Sequence, residues 1–166
     1  MSLVNAPDNI EKIKRSEFLT YLDTTPNATN PTWKVLGVGI NEYAISYNPQ
    51  VDTEKWIIED NARTDHSSNQ KQGSVTQKCY KNDPLFAFVA QGRDKLNYRT
   101  QILDIDTWNG TEGSYPAKLS QGIITVTSYM GENAEIEYDL YYDGDAVEGT
   151  VTIAGGVPTF VASASL

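Results

Sequence analysis

The sequence predicts a mainly β protein, a β-sandwich or barrel-like fold with one short flanking α-helix, in a single domain over residues 1–166. Several short segments alternate apolar and polar residues, as half-buried strands do; Glu42–Tyr47 and Ala134–Tyr142 are examples. Turn-forming Gly, Pro, Asn and Asp residues separate these segments. One segment alone, Leu85–Val89, has apolar residues at helical spacing.

The composition of the chain excludes several classes of protein and site. With 39% hydrophobic and 21% charged residues the chain is of ordinary globular type, and no apolar run approaches the ~20 residues that span a bilayer. The N-terminus has no secretory pattern, so we expect synthesis and retention in the cytoplasm, with no membrane partner. One cysteine and one histidine exclude a disulfide framework and multi-cysteine zinc sites. The formal charge of −9 disfavours direct binding to nucleic acid.

The N-terminal half begins with residues 1–16, which are polar and irregular and predict a flexible arm. Phe18–Asp23 alternates and predicts the first strand. Three further strands are predicted at Trp33–Val38, Glu42–Asn48 and Glu54–Asp60, because a Gly-Ile-Asn turn and an Asn-Pro pair separate them.

Residues 61–73 predict a long polar loop, because they contain no aliphatic side chain larger than alanine and cannot enter a core. Loops of this length are usually functional or disordered. Ser74–Tyr80 alternates again and is expected to pair with Glu54–Asp60, which makes Glu54–Tyr80 a long hairpin with a polar tip. We expect this tip to contact partner subunits through its polar side chains, namely Asn61, Arg63, Asp65, His66, Asn69 and Lys71.

The helix has the clearest local signal in the sequence. Asp83 is a good N-cap residue, and Pro84 suits the first helical position, where its missing N–H is not needed. Gly92 ends the apolar pattern. The sequence therefore predicts a helix of about two turns that covers one face or end of the sheets.

The C-terminal half predicts further strands at Asn97–Trp108, Ala117–Tyr129, Ala134–Tyr142, Val147–Ile153 and Val157–Ala162, the last four forming a meander. Turns are expected at Asp143–Asp145 and at Gly155-Gly156. Carboxylates on the outward positions of these strands predict an acidic face made of Asp104, Asp106, Glu135, Glu137 and Asp139.

No catalytic, metal or cofactor site is predicted. Paired strand carboxylates could serve glycoside hydrolysis, but alternating acids are usual on a solvated strand face. Asp143–Asp145 lacks the ligand spacing of a calcium loop. His66 and Cys79 have no partner residues at a spacing that indicates nucleophilic catalysis. The protein is therefore not expected to be an enzyme.

The order of these patterns resembles that of the tail tube (major tail) proteins of long-tailed bacteriophages, over residues 16–162. The resemblance rests on six features in sequence order: Tyr43–Gln50, Lys55-Trp56-Ile57, the polar loop after Asn61, Asn82-Asp83-Pro84 before an apolar helix, Asp104-Ile105-Asp106 before a Gly-rich insertion, and the acidic C-terminal hairpins.

The resemblance implies a tail tube fold in which six copies form a ring and the rings stack into a hollow tube for DNA ejection. The implied partners are further copies of the chain, a tape-measure protein and tail-tip or terminator proteins. Double-stranded DNA would pass without specific binding, and the location would be the virion tail after synthesis in the bacterial host cytoplasm. The acidic face would line the lumen and repel phosphate over a Debye length of ~8 Å.

Two other interpretations remain open. A soluble β-sandwich module that binds carbohydrate or a receptor would use some of the ten tyrosines and three tryptophans as a platform. Against this, Trp33, Trp56 and Trp108 each stand beside alternating strand residues, which favours packing in a core. The tube of a phage-tail-like bacteriocin or injection particle would have the same chemistry as a virus tail.

Overall fold

The computed structural model describes residues 7–111 and 113–164. It is mainly β, with 54% strand and 7% helix, and within these residues it has one large antiparallel sheet and a single α-helix in a β-sandwich-like arrangement. In chain order the elements are β1 (Phe18–Asp23), β2 (Trp33–Val35), β3 (Ile45–Ser46), β4 (Pro49–Glu54), β5 (Arg63–Asn69), β6 (Gln72–Lys78), α1 (Pro84–Gln91), β7 (Tyr98–Asp106), β8 (Tyr115–Tyr129), β9 (Glu135–Ala154) and β10 (Val157–Ala162).

The large sheet is built around two long strands, β8 and β9, which pair with each other along most of their length. Its strand order is β2-β1-β7-β8-β9-β6-β3, with every pair antiparallel. The other edge of β9 has two neighbours, because Glu135–Tyr141 pairs with β6 and Gly149–Ala154 pairs with β10. The first half of β9 therefore lies beside β6 and its second half beside β10.

The strands β1 and β7 are buried on both faces. Leu22 and Ile102 belong to a first core that α1 covers, together with β6 and the first half of β9. Their chain neighbours Tyr21 and Leu103 belong to a second core, which the second half of β9 and Phe160 of β10 complete. Alternating side chains of these two strands thus serve two hydrophobic cores.

The predictions for β1, the helix and β10 are confirmed. Asp83 accepts a hydrogen bond from the Leu85 N–H at 3.1 Å and caps α1. Gly92 ends the helix with a negative φ, so glycine is not needed here for a left-handed backbone conformation. Close packing explains it instead. A Cβ there would lie 2.3 Å from the Tyr98 ring.

Several N-terminal boundaries differ from the predictions. Trp33–Val38 and Glu42–Asn48 shorten to the three residues of β2 and the two of β3. The predicted strand Glu54–Asp60 is wrong: a strand begins at Pro49 and ends at Glu54, and residues 55–62 form the turn after it. Pro49 has no backbone N–H to donate, and it is accepted at a strand start in a two-stranded sheet because no second ladder requires a donor there.

The predicted polar loop 61–73 is also wrong, because β5 occupies most of it and pairs with β4. β6 does not return along the chain to this hairpin; it pairs with β9 and β3 inside the large sheet. The predicted turn at Asp143–Asp145 is absent as well, since β9 continues through it with Gly144 at a φ of 76°.

The N-terminal segment before β1 is exposed. Residues 7–14 contain no helix or strand and lead into a 3₁₀ turn at Arg15–Glu17. The Arg15 guanidinium donates hydrogen bonds to the backbone oxygens of Phe18, at 2.9 Å, and Tyr43, at 3.0 Å. The first six residues of the predicted arm lie outside the described part of the chain.

Candidate functional site

The hairpin β4–β5 stands apart from the rest of the molecule. Its two strands pair only with each other and form a separate two-stranded sheet. Every residue of both strands is exposed. Six or seven residues per strand at ~3.3 Å each make a projection of roughly 20 Å. Nothing in the described part of the chain covers this element.

The tip of the hairpin, residues 55–62, presents apolar side chains to solvent. Ile57 is fully exposed, Ile58 is 85% exposed and Trp56 is 44% exposed. The Arg63 guanidinium lies 4.0 Å from the centroid of the Trp56 ring. The Arg63 Nε–H donates hydrogen bonds to both carboxylate oxygens of Glu59, at 2.8 and 2.9 Å. Trp56, Arg63 and Glu59 thus contact one another beside the exposed isoleucines.

The root of the hairpin is anchored through Lys71. Its ammonium group lies 5.5 Å from the Tyr47 ring centroid and 4.6 Å from that of Tyr142. Burial lowers the pKa of Lys71, and the Asp104 carboxyl partly opposes this shift. Just before β4, the Asn48 side-chain amide donates a hydrogen bond to the Gln70 carbonyl, which lies just after β5, at 3.1 Å. The contact with Tyr142 of β9 attaches the hairpin to the rest of the molecule, which is called the body below.

Asp104 lies behind this root as a buried carboxyl group. It is 8% exposed and accepts hydrogen bonds from the hydroxyls of Thr20, at 2.8 Å, and Tyr142, at 3.0 Å. The Tyr142 and Tyr43 hydroxyl oxygens are 2.9 Å apart. Burial raises the pKa of Asp104, while the two hydroxyl donors and the Lys71 charge lower it in part. The prediction that Asp104 belongs to an exposed acidic face is wrong, because its strand is buried on both sides.

The remaining predicted acids divide between two places. Glu135, Glu137 and Asp139 lie on one face of β9, opposite the buried Ile136, Tyr138 and Leu140, so this alternation is as predicted. The Ser74 hydroxyl donates to Asp139 at 2.8 Å. Asp106 is half-buried at the end of β7, and β8 separates its strand from β9. The acidic row thus contains three residues, of which Glu137 is exposed and Glu135 and Asp139 are half-buried.

Five of the six predicted contact residues lie on the projecting hairpin. Asn61 is at its tip, and the other four, all exposed, are in β5: Arg63, Asp65, His66 and Asn69. The sixth, Lys71, is half-buried at the root. Sequence reasoning missed the apolar tip, because Trp56-Ile57-Ile58 resembles the interior of a strand. Two signals were available in the sequence. One was the Asn48-Pro49 pair, which lies at the start of β4, and the other was the lack of alternation in Trp56-Ile57-Ile58.

The tryptophans do not all pack in a core. Trp33 packs against the second core, as predicted. Trp56 and Trp108 are exposed, so the prediction is wrong for these two. Trp108 lies two residues after the end of β7, in a turn that precedes the turn-rich insertion.

A second feature of the surface is an apolar cleft between β2 and β10. It has a volume of about 410 Å³, and six of its lining residues are apolar: Pro31, Trp33, Leu119, Val157, Pro158 and Phe160. Val157 and Val161 of β10 are more than half exposed. Within residues 7–111 and 113–164, β10 pairs with β9 alone, so its other edge presents backbone groups with no strand partner there.

The described residues contain no cluster of three or more His, Cys, Asp or Glu side chains that could hold a metal ion. Burial raises the pKa of the Cys79 thiol, which disfavours the reactive thiolate. His66 contacts Asn69 at 2.7 Å, on the exposed hairpin. These groups provide no arrangement for nucleophilic chemistry.

Across residues 7–111 and 113–164, no helix has the length and apolar character needed to cross a bilayer. Comparison with protein-family models and with curated proteins finds no match to this chain.

Proposed function

We propose that this chain is a structural protein that self-associates into stacked hexameric rings and forms the tube of a phage-type tail, the conduit for DNA ejection. The β4–β5 hairpin carries the proposal. A two-stranded hairpin is marginally stable alone in water, and in the described part of the chain no strand residue of this hairpin is buried. Its exposed apolar tip adds a surface that other chains would cover.

The open edge of the large sheet at β10 supports the same proposal. Among the described residues, β10 pairs with β9 alone, so its other edge has no strand partner. An unpaired edge is a template for pairing with another chain. A head-to-tail contact closes into a ring when its rotation divides the circle, and a contact on another face stacks the rings. The number six comes from the resemblance to tail tube proteins.

The acidic row of Glu135, Glu137 and Asp139 is the proposed lining of the lumen. Carboxylates on a solvated strand face repel phosphate over roughly a Debye length, ~8 Å at physiological salt. A duplex would then pass without binding to the wall. Asp104 has no part in this lining because it is buried.

The proposal includes the partners and location that the resemblance implies. Tape-measure and tail-tip or terminator proteins would define the length and ends of the tube. The assembled protein would reside in the virion tail after synthesis in the bacterial cytoplasm. The tube of a tail-like bacteriocin would use the same surfaces.

The test is light scattering and negative-stain microscopy of the purified protein over a concentration series. We expect hollow rings or tubes with a central pore above a threshold concentration. Compact monomers at every concentration, also after addition of preformed tail tips, would contradict the proposal.

A soluble glycan- or receptor-binding module is the second candidate, because Trp56 and Trp108 are exposed. Aromatic platforms need a free ring face, and the Arg63 guanidinium occupies one face of Trp56. A glycan-binding screen tests this candidate. Saturable binding that Trp108→Ala abolishes, by a protein that stays monomeric, would favour it over the tube.

A further inference from the structure

The hairpin tip presents an exposed apolar surface. Ile57 and Ile58 are its most exposed apolar side chains, and the Arg63 guanidinium, paired with Glu59, lies over the Trp56 ring beside them. Because Trp56 and Arg63 are already in contact in the free chain, ordering them on binding costs less conformational entropy than ordering two free side chains. Aromatic and arginine side chains are also those enriched at the centres of interfaces.

The cleft between β2 and β10 is the surface of this chain that best matches such a tip. No charged residue lines it, and Trp33, Leu119 and Phe160 form much of its wall. Four other surface cavities in the described residues have at least one charged lining residue each. Buried charges without partners oppose binding, so the apolar tip favours the uncharged cleft.

We propose that the hairpin tip of one copy, Trp56-Ile57-Ile58, docks in the β2–β10 cleft of the next copy. The inference rests on the proposed self-association and names the two surfaces that produce it. Tip and cleft are different patches, so each copy offers one of each and the contact is heterologous. Such a contact propagates from copy to copy instead of stopping at a dimer.

The charge of the hairpin favours a protein acceptor over a lipid surface. The hairpin, residues 49–69, has two basic side chains, Lys55 and Arg63, and five acidic ones, Asp52, Glu54, Glu59, Asp60 and Asp65, for a formal charge of −3. An anionic bilayer attracts basic segments and repels this one. An uncharged cleft on a second copy has no such barrier.

Pairwise cross-linking tests the contact directly. In a Cys79→Ser background, one preparation carries Ile57→Cys and a second carries Val157→Cys, and the two are mixed with a short bis-maleimide under assembly conditions. The matched control replaces the second preparation with Leu96→Cys, which is 93% exposed beside a different cavity. We expect cross-linked heterodimers with Val157→Cys and at most a trace with Leu96→Cys.

A charge substitution at the tip gives the second readout. Ile57→Asp should raise the concentration needed for assembly by about tenfold or more, because an apolar contact is replaced by a desolvated charge. Leu96→Asp makes the same kind of exchange at a 93% exposed position outside the hairpin and the cleft, and should leave the threshold within about twofold. Both variants should keep the wild-type circular dichroism spectrum, since neither position is buried.

The outcomes separate this inference from the proposed function. Tubes that form while cross-links appear equally with Leu96→Cys, or not at all with Val157→Cys, overturn the inference alone. Monomers at all concentrations without cross-links overturn both. Sedimentation of the wild-type protein with anionic phosphatidylglycerol vesicles, abolished by Ile57→Asp, would overturn the inference in favour of a membrane contact.

Discussion

Asp104 is a carboxylic acid held in the interior by two hydroxyl donors, Thr20 and Tyr142. Burial raises its pKa above the ordinary value of 3.8. An acid whose pKa is higher in the folded chain binds its proton more tightly on folding. Its contribution to stability is therefore complete below the unfolded pKa and is lost as pH rises through the folded pKa.

Asp104→Asn removes this titration while keeping the size of the side chain. We expect the unfolding free energy of the variant, relative to wild type, to increase as the pH rises from about 4 towards neutrality. Urea unfolding at a series of pH values measures the difference. A difference that stays constant, or falls with rising pH, would show that the folded-state pKa is not raised.

At the scale of elements, α1 is joined to the sheet through its cap. Asp83 accepts the Leu85 N–H through Oδ1 and the Gln77 side-chain amide through Oδ2, at 3.1 and 3.0 Å. Gln77 is fully buried and accepts a hydrogen bond from the Tyr138 hydroxyl at 2.9 Å. One carboxylate thus satisfies a helix end and a buried amide.

Asp83→Ala should destabilise the fold by about 2–3 kcal/mol, because it removes a cap and leaves a buried amide hydrogen without an acceptor. Asp83→Ser is the matched control, since it restores the cap and not the second bond, and should lose about 1–2 kcal/mol. Chemical denaturation of both variants measures the two terms. Equal losses in the alanine and serine variants would mean that the Gln77 bond contributes nothing.

Several of the elements predicted well from sequence have side chains that are buried within one chain. β1, β7 and α1 had clear apolar periodicity or caps because the cores select for them. β4 and β5 escaped prediction because none of their residues is buried in the described structure, so neither strand has a buried face to create alternation. Tertiary pairing also could not be foreseen for β6, whose partner β9 lies more than fifty residues away.

The candidate site was predicted in part for the same reason. The polar residues of β5 were found because a core excludes them, whereas the apolar tip was assigned to a strand interior. Asp104 was misplaced because its alternation with Leu103 and Ile105 matches that of a solvated face. Sequence alone does not distinguish a half-exposed strand from one that is buried on both sides and contains a hydrogen-bonded acid.

At the scale of the whole molecule, two cores share the strands β1, β7, β8 and β9, and a separate hairpin extends from this body. We propose that this hairpin, which has no buried strand residue in the described chain, becomes covered when copies associate. The body needs no partner to bury its apolar side chains, so the two parts should differ in their response to association.

Hydrogen exchange of the hairpin amides in dilute and in assembled protein tests this claim most directly. We predict fast exchange over residues 49–69 in the dilute sample and exchange slowed by about tenfold or more in the assembled one. Amides of β7 and β8 should be protected in both samples and serve as the internal control. Equal protection of the hairpin in the two states would contradict the account.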